Sequence, residues 1–289
     1  MKLPNFGSLW MLLAAFGFAV MGALVKVGAT KFTSGELVFY RSVFGLATIY
    51  LYIFSNRLPL KTPHLAKQLS RALVGFISLV MFFYAIAHLP LATAITLNYT
   101  SPLFLAAFMP FMLHEKPRKT LYFAVLLGFI GVTLLLKPSL DSKDILAGTI
   151  GLASGMGAGL AYAHVKQLGN LHEPDWRTVF YFTLLSTIGG AAWMALHHFT
   201  PISWSDLPLL VCLGVSATIA QLALTRAYRT GRTLTVASLA YVTVVIASLF
   251  GMMFFHEKLL LSEWFAIGLV ILSGIISIKT TNEKIPTTK

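Results

Sequence analysis

Acidic side chains are scarce in this chain, which carries 10 Asp and Glu against 22 Lys and Arg in 289 residues. The acids are scattered mostly through polar connections, so no cluster of Asp, Glu, His or Cys has the spacing of a metal site. His197-His198 is the sole histidine pair and has no H-E-x-x-H companion, and no Gly-rich segment ends in the Lys of a phosphate-binding loop. These absences argue against metal-assisted chemistry and against ATP-driven work by this chain alone. A single cysteine, Cys212, excludes an intrachain disulfide and reads as a small buried hydrophobe within an apolar stretch. Charge of either sign is thin at 11% of residues, where soluble domains carry about 25%.

What the chain has in abundance is apolar length. Hydrophobic residues make up 57% of it, with a mean hydropathy of +0.78. A bilayer core about 30 Å thick takes about 20 helical residues per crossing. Ten stretches qualify as spans: Gly7 to Ala29, Leu37 to Phe54, Ala72 to Ala87, Ala92 to Leu113, Thr120 to Leu136, Leu146 to Val165, Thr178 to Leu196, Leu207 to Tyr228, Thr235 to Phe255 and Glu263 to Ile278. Links such as His88-Leu89-Pro90 are so short that neighbouring spans must run antiparallel, and the alternation of a membrane β-barrel is absent. The expected class is an all-α membrane protein of ten transmembrane helices. The first stretch exceeds twenty residues and is followed by further spans, so it reads as a retained helix rather than a cleaved signal.

The net charge of +12 requires no nucleic-acid partner once its placement is considered. With the N-terminus inside, about sixteen cations fall on cytoplasmic segments, including Arg57, Lys61, Lys67, Arg71, the Lys116-Arg118-Lys119 group and Arg226-Arg229-Arg232; about four fall outside. That bias places both termini in the cytoplasm and the basic loops against anionic lipid headgroups.

The tripeptide His-Glu-Lys occurs twice, at 114–116 and 256–258, each time closing a long apolar segment. A shift of 142 residues aligned on it gives about nine identities over about thirty-two positions, among them Leu97 on Leu239 and Tyr99 on Tyr241. Shifts of 140 and 141 pair Val25-Lys26 with Val165-Lys166 and Phe39-Tyr40 with Phe180-Tyr181. The chain divides into repeats 1–140 and 141–289, each of five spans. Five is odd, so the second repeat enters from the opposite side, and inverted repeats place a site near the midplane with a route to alternating access.

On these residues the chain resembles the drug/metabolite transporter superfamily, specifically the ten-helix EamA type of bacterial inner-membrane carrier. The resemblance covers nearly the whole chain and rests on the two repeats, Arg41 entering the second span, Tyr99-Thr100-Ser101-Pro102-Leu103-Phe104 in the fourth, and Glu115 and Glu257 closing the fourth and ninth. It implies a basket of helices around a central cavity lined by spans 1, 3, 4, 6, 8 and 9, with spans 5 and 10 outside. It also implies movement of a small metabolite, commonly an amino acid or derivative. Two departures stand out: Val244 replaces the proline at the position of Pro102, so the ninth span is expected to lack the kink, and no acid occurs between Gly7 and Ala29 to serve as a buried carboxylate switch.

Ionisable groups inside spans mark function or a structural pairing. Arg41 lies near Glu36 and is open to snorkelling, an ion pair, or contact with a substrate carboxylate or gate; Lys26 and His164 read chiefly as snorkelling and core residues. Span 4 is polar, with Thr96, Asn98, Tyr99 and Thr100 preceding a proline that frees a backbone carbonyl, and these groups either bind a ligand or bond to other helices. Ser238 and Tyr241 match them in span 9, Gln221 lies in span 8, and Tyr84, Tyr99, Tyr162 and Tyr241 are candidates to clamp a substrate. Glu115 and Glu257 either end solvated helices or hold gates by pairing with basic residues. Gly151, Gly155 and Gly159 form two overlapping GxxxG motifs that let another helix approach. The expected function is secondary transport of a small polar metabolite by a functional monomer with no cofactor. The alternatives are a membrane enzyme or receptor for a lipid-like substrate and, within transport, a multidrug or organic-cation exporter.

Overall fold

The computed structural model describes residues 6–89, 91–136, 145–196, 200–254 and 260–282. Among these residues there is no strand, and the chain forms twelve α-helices and one short 3-10 turn, Trp204–Asp206. Eight segments are long and apolar enough to cross a membrane. The shorter apolar helix α6 (Lys119–Leu136) and the broken pair α4 (Leu91–Asn98) and α5 (Ser101–Met112) complete the ten. The remaining spans are α1 (Phe6–Gly28), α2 (Ser34–Ser55), α3 (Leu65–His88), α7 (Ile145–Asn170), α8 (Asp175–Leu196), α9 (Leu207–Thr230), the pair α10 (Thr233–Ala240) and α11 (Val242–Phe254), and α12 (Leu261–Asn282).

Short links make successive spans antiparallel and give the molecule two faces. One face holds the α2–α3, α5–α6, α7–α8 and α9–α10 connections with most of the cations, and we call it the basic face. Outward surfaces carry Phe16, Ile77, Ile188 and Ile219, all exposed, as a lipid-facing shell requires. Polar side chains turn inward instead: Ser154, Thr218, Ser238, Ser273 and Ser277 are buried, where they bond between helices or back onto their own turns. Cys212 is exposed, correcting its reading as a buried hydrophobe, because its face of α9 looks outward.

The packing has the pattern of two exchangeable halves. The heaviest contacts are α1 with α9 and α3 with α7, which interchange when span 1 is swapped for span 6 and span 3 for span 8. The contacts of α6 with α12 and α2 with α8 each map onto themselves. In the same way α7 packs on the broken pair α4 and α5, while α1 packs on α10 and α11.

Both polar spans break at equivalent tyrosines. Span 4 is interrupted at Tyr99 and Thr100, and span 9 at Tyr241, which is its 142-residue counterpart, although Val244 stands where a proline was absent and no kink was expected. The cause is local tightening rather than proline. Tyr241 N–H bonds back three residues to the Ser238 carbonyl and Val244 N–H to that of Tyr241, as Leu103 N–H does to Thr100 in span 4. Pro102 itself sits in the first turn of α5, where its missing N–H costs nothing.

The break in span 4 is covered by the glycine face of α7. A Cβ at Gly155 would lie 2.2 Å from Thr100 Oγ1 and 2.5 Å from the Leu97 carbonyl oxygen, and Gly151 and Gly159 meet Leu97 and Ser101 in the same way. Gly155→Ala should therefore lower thermal stability by about 1–3 kcal/mol through overpacking. Gly22→Ala, with nothing within 4 Å of the added methyl, should be neutral or stabilising by about 0.5–1 kcal/mol through helix propensity. Melting of the two purified variants side by side checks this, and equal behaviour would refute the tight α4–α7 approach.

Candidate functional site

At the centre two arginines come together from opposite faces. Arg41 is seven residues into α2, about 10 Å along the helix from one face; Arg71 is six residues into α3, about 9 Å from the other. Arg41 is 8% exposed and Arg71 3%. The placement of Arg71 corrects the sequence reading, which assigned it to a cytoplasmic loop, since α3 begins at Leu65 and turns Gln68 and Arg71 inward. Gly75 makes room one turn later: a Cβ there would lie 2.6 Å from Arg71 Nη1. The Arg71 guanidinium lies over the Phe182 ring, 4.2 Å from its centroid. Phe182 is the 141-residue counterpart of Arg41, so the charge at this level is supplied by the first half and the aromatic face by the second.

Tyrosines continue from the guanidiniums. Tyr162 on α7 is close enough to both arginines to interact electrostatically, and its ring stacks on that of Tyr228 at 5.2 Å and 19°. Tyr241 and Tyr99 follow, their rings 6.3 Å apart. The Tyr228 and Tyr241 hydroxyls, Arg71 Nε and Nη1, and Gln221 Nε2 are all buried without a hydrogen-bond partner. No ion pair among the described residues involves Arg41 or Arg71. A charge at mid-bilayer costs about 2.5–3.5 kcal/mol on insertion scales, so two unpaired guanidiniums are a feature that the rest of the fold must sustain.

The centre is narrow. A void of about 10 Å³, the scale of one water, is bounded by Arg41, Ser42, Phe182, Thr183, Ala217, Thr218 and Gln221. A larger hollow of about 520 Å³ lies at the basic face, where Tyr50, Phe54, Arg57 and Leu60 flank the end of α2, remote from the polar centre.

On both faces carboxylates cross between the halves. On the face opposite the basic one, Glu36 completes the capping box of α2 with Thr33 and accepts hydrogen bonds from the Thr200 backbone N–H and hydroxyl. Lys31 bonds Asp206 at 2.5 Å beside it. On the basic face, Glu173 accepts from Thr62 Oγ1 at 2.5 Å, Gln68 Nε2 at 3.1 Å and Arg177 Nη1 at 2.9 Å, while Arg177 Nη2 also donates to the Pro59 carbonyl at 2.8 Å. The α7–α8 connection is thereby tied to the α2–α3 linker.

The residues singled out in the sequence are distributed unevenly. Arg41, Tyr162 and Gln221 are at the centre, and Tyr99 and Tyr241 lie along the same row of rings. Thr96 is buried; Asn98 Nδ2 donates to Ser154 Oγ at 3.2 Å, and the Thr100 hydroxyl to the Leu97 carbonyl at 2.5 Å, both under α7 rather than open to the centre. Ser238 bonds Ser277 on α12 at 2.6 Å and faces away. Tyr84 is 36% exposed and stacks on His88 at 4.0 Å, outside the centre. Glu115 accepts from Thr233 Oγ1 at 3.0 Å, a contact between the halves through a hydroxyl, and Glu257 lies outside the described residues. His164 is beside Ser70, its Nε2 3.4 Å from the hydroxyl. Arg71, Phe182, Tyr228, Glu36 and Glu173 complete the candidate site and its closures. The 141-residue shift carries Arg41 onto Phe182 and was readable in the sequence; nothing local marked Glu173.

A polar, cationic centre within ten spans, with contacts between the halves at both faces, is an arrangement suited to a membrane transport protein. The comparisons with known proteins agree. The EamA-like transporter family model matches twice, at residues 5–137 and 145–279, and the chain belongs to that family. It is 32% identical over 251 residues to the pseudopaline exporter CntI of Pseudomonas aeruginosa strain UCBPP-PA14, covering 87% of this chain and 88% of that one. It is 28% identical to a riboflavin transporter of Vibrio cholerae serotype O1, over 78% of this chain and 76% of the other, and 23% identical to an S-adenosylmethionine uptake transporter of Rickettsia bellii, over 89% and 88%. A solved crystal structure superposes with a TM-score of 0.84, covering 97% of this chain and all of the other at 16% identity, and so shares the fold. The protein is thus a multi-pass membrane protein of a bacterial transporter family, whose relatives move small molecules.

Glu173 lies outside the spans and gives a pH test. Burial by itself raises its proton affinity, but the bonds from Thr62, Arg177 and Gln68 outweigh burial and hold the carboxyl below its ordinary value of 4.5. A lowered folded value stabilises the fold above about pH 4.5, and that contribution is lost as the pH falls through it. Melting followed from about pH 7 to about pH 3, through the window below about pH 4.5, should show an acid loss in the wild type that Glu173→Gln reduces; identical profiles would contradict the tie.

Proposed function

We propose that the chain is a secondary transporter of a small polar metabolite, in class an amino acid or derivative, working by alternating access of its two inverted halves. In this reading it acts as a monomer in the bacterial inner membrane with both termini cytoplasmic, so that the basic face is the inner one. The observation that carries the reading is a narrow polar centre between two contacts that cross the halves: the core of Arg41, Arg71, Gln221 and Tyr162 lies between Glu36 on one face and Glu173 on the other, each reaching from one half to the other, and in this reading they are its closures. Release of either closure opens the centre to one side while the other remains shut, which is the requirement for carriage without a continuous pore. Relatives named as exporter and as uptake transporter support carriage in either direction. Unpaired arginines at the centre disfavour the organic-cation variant of this reading, and the centre offers no paired acid and base for chemistry on a lipid.

Accessibility of the centre tests the mechanism. In a Cys212→Ser background, Thr218→Cys places a thiol on the wall of the central void. A membrane-impermeant maleimide should label it slowly from either side. Glu173→Gln should speed labelling from the cytoplasmic side several-fold and Glu36→Gln from the outer side, as both substitutions keep the shape and weaken the closure. Unchanged rates from both sides in both variants would refute the gating scheme.

A further inference from the structure

Resting on the transport reading, we propose that Arg41 and Arg71 are the binding site for an oxyanion group of the solute, a carboxylate or a phosphate, and that the solute's remaining body is apolar or aromatic. The centre holds buried donors that no acceptor answers. Arg71 Nε and Nη1 and Gln221 Nε2 are buried and unbonded, and Arg41 shares the void with Gln221. A group that is acceptor-only and negatively charged suits donors of this kind, and a planar guanidinium fork matches a carboxylate or phosphate edge.

Electrostatics point the same way. Arg41 and Arg71 are near enough to repel, and Tyr162 is the group placed beside both. The described acids, Glu36, Glu115, Glu173, Asp175, Asp206 and Glu263, all stand at helix ends or in connections, so among the described residues the interior supplies no counter-charge. An anion between the two guanidiniums converts their repulsion into two attractions. Phe182 packs on the Arg71 guanidinium, 4.2 Å from ring centroid to its central carbon, and Arg71 Nε and Nη1 are left without a partner. On the far side of Tyr162 the stacked Tyr228 and then Tyr241 and Tyr99 form an aromatic wall. The void of about 10 Å³ is too small for such a solute, so it enters only when one closure releases.

The test uses the full-length protein, purified, with probes matched in shape: N-acetylphenylalanine as carboxylate, phenyl phosphate as phosphate, N-acetylphenylalanine amide as neutral and phenethylamine as cation. Thermal melting with each probe reads binding, and counterflow in liposomes reads transport. At least one of the two anions should raise the melting temperature, whereas the amide and the amine should not; which anion responds separates carboxylate from phosphate. Arg41→Gln and Arg71→Gln should each weaken the anion response at least tenfold, and the Lys variants should retain part of it. Gly75→Ala keeps both charges but displaces the Arg71 guanidinium, and should fold normally while losing the response. Arg71→Met should leave the ligand-free melting temperature equal or higher, since it removes an uncompensated buried charge, which guards against misreading a fold defect. No shift with either anion, or equal shifts with the amide, overturns the proposal. Saturable counterflow of the amide or amine, unaffected by the arginine variants, overturns it while leaving the transport reading intact. Absence of any counterflow from folded protein defeats the transport reading instead, and an anion shift lost in the arginine variants would then still support the oxyanion site.

Discussion

Two guanidinium groups share the interior of this bundle without a protein carboxylate between them, and much of the architecture follows from that constraint. Neither arginine can reach an interface by stretching along its helix, because each lies about two turns inside. They persist because Phe182 and Tyr162 surround them with polarisable surface and because Gly75 leaves the Arg71 guanidinium its space. The acids of the chain are used elsewhere, at the two faces, where Glu36 and Glu173 join one half to the other. Charge is thus segregated, with cations in the centre and carboxylate closures at the rims.

This segregation sits on a scaffold whose halves are alike in packing but not in chemistry. The α1–α9 and α3–α7 contacts interchange under exchange of the halves, and the breaks at Tyr99 and Tyr241 fall at equivalent residues. Symmetric packing allows two arrangements of similar energy, which a carrier needs. The centre is filled unequally, with arginines from the first half and Phe182 and Gln221 from the second, and under the proposed oxyanion site that asymmetry would orient the solute. Close approach of α7 to the broken span 4, permitted by Gly151, Gly155 and Gly159, covers the backbone at the break, where the Leu97 carbonyl accepts from the Thr100 hydroxyl.

The sequence revealed the scaffold more readily than the site. Span number, antiparallel order and the repeat were legible because bilayer thickness imposes length and duplication leaves collinear identities such as Tyr99 with Tyr241. Arg41, Tyr162 and Gln221 were identifiable as polar groups in apolar context. Arg71 was not, since it lies beside Lys67 at the start of an apolar run and is indistinguishable there from a headgroup-binding cation until the helix is seen to start at Leu65. Asn98 and Thr100 were read as ligand groups from their types, yet their partners are Ser154 and the Leu97 carbonyl, a distinction that depends on which helix faces them. Glu173 depends on contacts more than a hundred residues apart in sequence, which no local pattern encodes.

The most direct test of the account is an experimental density map of the protein in a lipid nanodisc, resolved well enough to place side chains and ordered ions, in the presence of a saturating transported anion. The account requires density for an oxyanion bridging Arg41 and Arg71, with Glu36 or Glu173 or both still bonded across the halves. Finding both guanidiniums directed onto protein carboxylates or backbone carbonyls, with the solute elsewhere, would contradict it.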